Sequence, residues 1–326
     1  MRVVRPFTSR RLLLTGVGTF LGLSLGLTLA ACGSTSTTAS TSSAATGTGM
    51  STGTGSTASA MSGMGGMPAG MDEPMYTGDG LSATASGFTL GTVATSGSGS
   101  TSGSGAAALP SGRAVSVEFR ITDSAGKALT SYQDDQTKLM HFYVVRSDLS
   151  GFQHVHPTMA ADGTWTASLA ALKPGTYRMY TSFITANSSG AAIALVLSKQ
   201  FTVAGTATTV ALPAAAPTTQ VDGYTVALSG ELMAGMEHTL TATVTKDGAP
   251  VTNLQPYLDT YAHLTAFHAG DLAFAHLHPQ GAVNGDHGGP TLTFDAQMAK
   301  TGDYRVFLQF QTGGVLHTAA ITVHVG

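Results

Sequence analysis

Beyond about residue 79 apolar and polar positions alternate in short runs. Val115, Val117, Phe119 and Ile121 are separated by Ser116, Glu118 and Arg120, and Tyr177 and Met179 flank Arg178. A period of two predicts strands with one buried face. Turn-forming groups such as Asp123-Ser-Ala-Gly126 and Asp247-Gly248 end the runs, and no long stretch of helical period follows Cys32. The expected fold is all-β, with about seven short antiparallel strands in each of two immunoglobulin-like sandwiches.

The pattern occurs twice. Gly87-Phe-Thr-Leu matches Gly223-Tyr-Thr-Val, Lys173-Pro-Gly175-Thr-Tyr177-Arg178 matches Thr301-Gly302-Asp-Tyr304-Arg305, and Phe201-Thr-Val203 matches Ile321-Thr-Val323. A repeat of this length predicts tandem domains, here 79–205 and 220–326, joined by an Ala/Thr/Pro-rich linker, 206–219. Gly175-Thr-Tyr177 and Gly302-Asp-Tyr304 resemble tyrosine-corner turns. Trp165, between Thr164 and Thr166, is expected in the core.

Each copy carries the same histidine pattern. His141 precedes His154, and His263 precedes His276, by 13 positions, and His156-Pro157 and His278-Pro279 follow two residues after the second histidine. Leu139 to Val145 and Phe152 to His156 read as a hairpin around Ser147, Asp148, Ser150 and Gly151. If Val145 pairs with Phe152, then Tyr143 faces His154 and His141 faces His156; the second copy pairs Phe267 with Phe274 by the same arithmetic. Opposed Cβ atoms lie about 4.5–5.5 Å apart and diagonal ones roughly 7–8 Å, so the three imidazoles of one hairpin fall within reach of one ion. The expectation is one metal site per hairpin, from His141, His154 and His156 and from His263, His276 and His278. Imidazole suits copper, with zinc as the other choice. Asp148 and Asp271 in the turns are candidates to orient a ligand, and His317 is a candidate fourth ligand. The alternative is that these histidines are neutral packing groups bonded to nearby carbonyls.

The N-terminus changes the cellular setting. Arg2, Arg5, Arg10 and Arg11 precede the apolar run Leu12 to Ala30, and Leu29-Ala-Ala-Cys32 follows. This resembles a bacterial lipoprotein signal, 1–31, with Cys32 as the lipidated residue, and Ser9-Arg10-Arg11-Leu12-Leu13 also resembles a twin-arginine export signal. A membrane-spanning anchor is the alternative. Cys32 is the chain's single cysteine, so no disulfide or thiolate chemistry remains after lipidation. Removing the four arginines takes the formal net charge from −3 to −7, which argues against nucleic-acid binding. The Ser/Thr/Gly-rich stretch 32–78 reads as a tether, and within it Met61, Met64, Met67, Met71 and Met75 are thioether donors suited to Cu(I), or else drift in a low-complexity sequence.

The duplicated Asp-Leu-x-x-Phe-x-His-x-His-Pro hairpin and the following Pro-Gly-x-Tyr-Arg resemble secreted, mainly actinobacterial β-sandwich proteins grouped loosely with CopC-like and YtkA-like periplasmic domains. That resemblance covers Asp79 to Gly326 and implies an extracytoplasmic setting and an association with copper or other heavy metals. The N-terminal histidine of CopC-type copper carriers has no counterpart here. No Ser-His-Asp set, phosphate loop or dinucleotide fingerprint is present in the sequence pattern, so no enzyme is expected. The expected function is a lipid-anchored, copper-binding envelope protein whose partners are the ion and the membrane. The alternative is a tandem interaction module that meets another envelope protein without metal.

Overall fold

The computed structural model describes residues 76–91, 94–95, 108–285 and 287–326. The signal segment, Cys32 and Met61, Met64, Met67, Met71 and Met75 lie outside them. The described chain is all-β, two tandem antiparallel sandwiches.

In the first repeat, Val115–Phe119 pairs with Trp165–Leu169, Trp165 opposite Phe119. The facing sheet holds His141–Arg146, Gly175–Ala186 and Ala192–Val203, with the short Gln153–Val155 on one edge and Tyr76–Thr77 running parallel on the other. Alternate residues of both sheets, including Phe119, Phe142, Val144, Trp165, Met179 and Leu197, fill the space between. Trp165 takes its predicted core place and donates its indole N–H to Tyr132 at 3.1 Å. The second repeat opposes Tyr224–Ser229, Glu237–Lys246 and Thr291–Gln297 to Ala262–His268, Gly302–Thr312 and Val315–Val325. Phe274–Pro279 joins both layers, since His278 pairs with Asp295. Both tyrosine corners close as expected: Tyr177 and Tyr304 each donate to the carbonyl four residues upstream, Lys173 and Lys300, at 3.1 Å.

A third apolar cluster decides where the histidines go. All six residues of His141–Arg146 are buried, although alternation sends only Phe142 and Val144 into the first core. The outward set, Tyr143 and Val145, packs with Leu149, Tyr180 and Val196 of the first repeat against Phe267, Leu272, Phe274 and Phe307 of the second. Phe152 stacks on Phe307 with ring centres 4.1 Å apart and planes 8° from parallel. A strand buried on both faces needs a cover on its second face, and the second repeat supplies it. The connector is clipped along this seam: Arg146 donates to the Thr208 carbonyl at 3.0 Å, and the Val210 amide donates to Asp148 at 2.8 Å.

Candidate metal centre

The predicted registers are present, with Tyr143 opposite His154 and Phe267 opposite Phe274. In a strand this puts His141, Tyr143 and Val145 on one face, and in the first repeat that face is turned toward the second. His154 stacks on Tyr143 at 4.3 Å, and the rings of His141, His154 and His156 lie 4.7–5.2 Å apart by centroid. The second repeat contributes across the seam. His263 stacks 4.8 Å from His154 and 5.5 Å from His141.

This differs from the grouping expected for the first hairpin, whereas the expected set of His263, His276 and His278 includes a side chain outside the description. His141, His154 and His263 offer nitrogens that all lie within 4.8 Å of one another, so the set is shared between repeats rather than confined to one hairpin. Two nitrogens on opposite sides of one ion lie about 4.1 Å apart, so a sub-ångström movement gathers them. His156 stands beside the trio, its Nε2 buried without a hydrogen-bond partner. His278 is stacked with Tyr76 at 6.3 Å. His276 lies on the strand Phe274–Pro279, opposite Thr265, and its side chain falls outside the description. No second histidine trio gathers among the described residues.

The outer nitrogens of the trio fix its chemistry. His141 Nε2 lies 3.0 Å from the Asp135 backbone carbonyl, His154 Nδ1 lies 2.7 Å from Gln309 Oε1, and His263 Nδ1 lies 2.7 Å from Gln136 Oε1. Gln309 is oriented by its own amide, which donates to Thr318 at 3.3 Å. Each outer nitrogen faces an acceptor and must carry the hydrogen, so each inner nitrogen presents a lone pair. His263 Nε2 takes the Tyr143 hydroxyl at 3.1 Å. His141 Nδ1 and His154 Nε2 lie 3.0 Å apart, and with both outer nitrogens carrying hydrogens each presents a lone pair there.

Two bare imidazole nitrogens at that distance repel unless a cation stands between them. Burial lowers the proton affinity of His141, although Asp135 works in the opposite direction. His156 is pushed down to about 3 by burial and then by the neighbouring charge of His141 and Lys138. Burial, reinforced by Asp135, raises the Tyr143 phenol well above its ordinary value and keeps it a neutral donor.

Asp135, Gln136 and Gln309 were not singled out by sequence. The expected orienting groups act elsewhere: Asp148 holds Arg146, and Asp271 holds His268 and Lys300. No sequence signal marked Asp135, Gln136 or Gln309; in the structure Gln136 and Thr137 form a tight turn before the strand with φ of +45° and +70°. His317 is not a fourth ligand. It spans Asp222 at 2.8 Å and Thr312 at 3.0 Å and ties together two hairpin ends.

The family described as Domain of unknown function (DUF8832) matches residues 97–199 and 219–326, once per repeat. The chain belongs to this family. DUF8832, and not a CopC-like or YtkA-like domain, is the family found, so copper has to be argued from the centre itself. No curated protein matches the chain. Among solved structures it is similar to the Escherichia coli adhesin FdeC, at 16% identity over 72% of this chain and 63% of that one, TM-score 0.22. It is also similar to invasin, a bacterial integrin-binding protein, at 16% identity over 73% and 39%, TM-score 0.21. A third is a putative membrane anchored protein from Corynebacterium diphtheriae, at 9% identity over 73% and 58%, TM-score 0.20. The chain spans less than two thirds of the length of each. Among the described residues no helix is long and apolar enough to cross a membrane.

Proposed function

We propose that this DUF8832 protein is an extracytoplasmic, lipid-anchored metal-binding protein whose tandem sandwiches hold one ion between them through His141, His154 and His263, with His156 adjacent. The observation that carries this reading is the convergence of His141, His154 and His263 to within 4.8 Å, with His141 Nδ1 and His154 Nε2 3.0 Å apart and each of those two rings held by a hydrogen bond on its far side. Metal–nitrogen bonds of about 2.0–2.1 Å to nitrogens 3.0 Å apart subtend about 91–97° at the ion. That angle is closer to tetragonal Cu(II) than to tetrahedral zinc. Cys32 would anchor the chain, and the tether methionines would add a separate, softer Cu(I) capacity. The centre reads as a holding site rather than a catalyst, since His141, His154 and His263 are at most 8% exposed and leave a substrate no room.

A second reading has its own support. The Asp135 carboxylate lies 3.7 Å from His141 Nε2 and could balance a proton shared by the two histidines, which would make the seam purely structural in a tandem envelope module. Titration of the purified protein with Cu(II) and Zn(II) under oxidising conditions separates the two. The metal reading expects one tight equivalent that disappears in His141→Ala and in His263→Ala alike. A protein that takes up neither ion is the shared-proton module.

A further inference from the structure

We infer that the ion reaches the buried histidines through an acidic cleft beside them, with Tyr76 as the door. This rests on the metal reading above. A cleft of about 580 Å³ is lined by Tyr76, Asp79, Glu237, His278, Asp295 and Lys300, among others. Tyr76 links it to the centre: its hydroxyl donates to the carboxylate of Asp135, a buried residue whose backbone carbonyl holds His141. On its other side the Tyr76 ring stacks against His278.

The cleft suits a small cation. It presents three carboxylates against one ammonium, and Lys300 is already engaged by Asp79 at 3.3 Å and Asp271 at 2.5 Å. Burial lowers the proton affinity of His278 in the cleft wall, while Asp135, Asp295 and Glu237 pull it upward. A pocket of one sign with low-dielectric walls concentrates counter-ions and speeds their capture. The door is weakly hinged, because Tyr76 belongs to a two-residue strand, Tyr76–Thr77, paired at the sheet edge with Ala194 and Leu195. Short edge segments open locally at small cost compared with global unfolding. The cargo is a divalent transition-metal cation, free or in a labile complex.

Stopped-flow loading of the full chain with Cu(II), and release to excess EDTA, test the route. The double variant Glu237→Gln/Asp295→Asn should load several-fold to about tenfold more slowly at low ionic strength, a difference that shrinks as salt screens the field. Tyr76→Phe loses its bond to Asp135 and should release the ion about tenfold faster. Both variants should keep the wild-type stoichiometry at equilibrium. Wild-type rates in both variants, with the ion still bound, overturn this inference and leave the metal reading standing. A wild-type protein that binds no ion overturns both.

Discussion

His263→Ala distinguishes a centre shared between repeats from one built on a single hairpin. In the structure the His263 ring lies 4.8 Å from His154 by centroid, and His263 belongs to the trio of converging histidines. Losing a group that merely orients a ligand costs about 10–100-fold in metal affinity, so losing a ligand itself should cost at least about a hundredfold. An ion present at about a hundred times its Kd stabilises the folded state by about 2.7 kcal/mol. For a protein of this size 1 kcal/mol moves Tm by about 2–4 °C, so the wild type should gain about 5–11 °C. At the same ion concentration the variant is only half saturated, gains about 0.4 kcal/mol and shifts by about 1 °C. The substitution also strips partners from Tyr143 and Gln136 and lowers the ion-free Tm. The quantity to read by scanning calorimetry is therefore the ion-induced shift within each protein. A His263→Ala protein that keeps the full shift would return the ion to His141, His154 and His156 alone, and the shared centre would be refuted.

Gln309→Leu removes the acceptor that holds His154 Nδ1 and should weaken Cu(II) binding by about 10–100-fold; isothermal titration showing unaltered affinity would mean the tautomer is set by other means. Phe267→Ala empties a fully buried position between Tyr180 and Phe307. It should cost about 3–5 kcal/mol and split urea unfolding into two steps as the seam loosens. For Asp148, burial opposes ionisation, but Arg146, Ser150 and the Val210 amide outweigh it and hold the carboxyl well below the usual range. Its contribution is therefore complete above the unfolded value of about 3.9 and is lost as pH falls through the lower folded value. Asp148→Asn should be less stable than wild type at pH 7, with the gap closing below about pH 4 in acid-unfolding curves.

Period-two alternation and turn residues were enough to read the strands, the duplication and both hairpin registers. They could not say what covers the outer face of each hairpin. His141, Tyr143 and Val145 in one copy and His263, Thr265 and Phe267 in the other carry no charged group. That signals burial on a second side without naming the cover. The cover is the other repeat, so His263, which looked like part of a second local set, meets His141 and His154. The same gap hid Asp135, Gln136 and Gln309, which are ordinary polar residues until the seam brings them against imidazole nitrogens.

The two copies have also diverged in a complementary way around the shared trio. Asp135 to Lys138 and Tyr257 to Thr260 are equivalent turns, each closed between its end residues and each with two central residues at positive φ. The first carries Gln136, which holds His263, whereas the second carries Leu258, which has no acceptor to offer. Along the next strand the asymmetry reverses. His263 pairs with Gln309, the residue that holds His154, whereas His141 pairs with Ser182, too short to reach an imidazole across the seam. Each repeat thus supplies the orienting amide for a histidine of the other, Gln136 for His263 and Gln309 for His154.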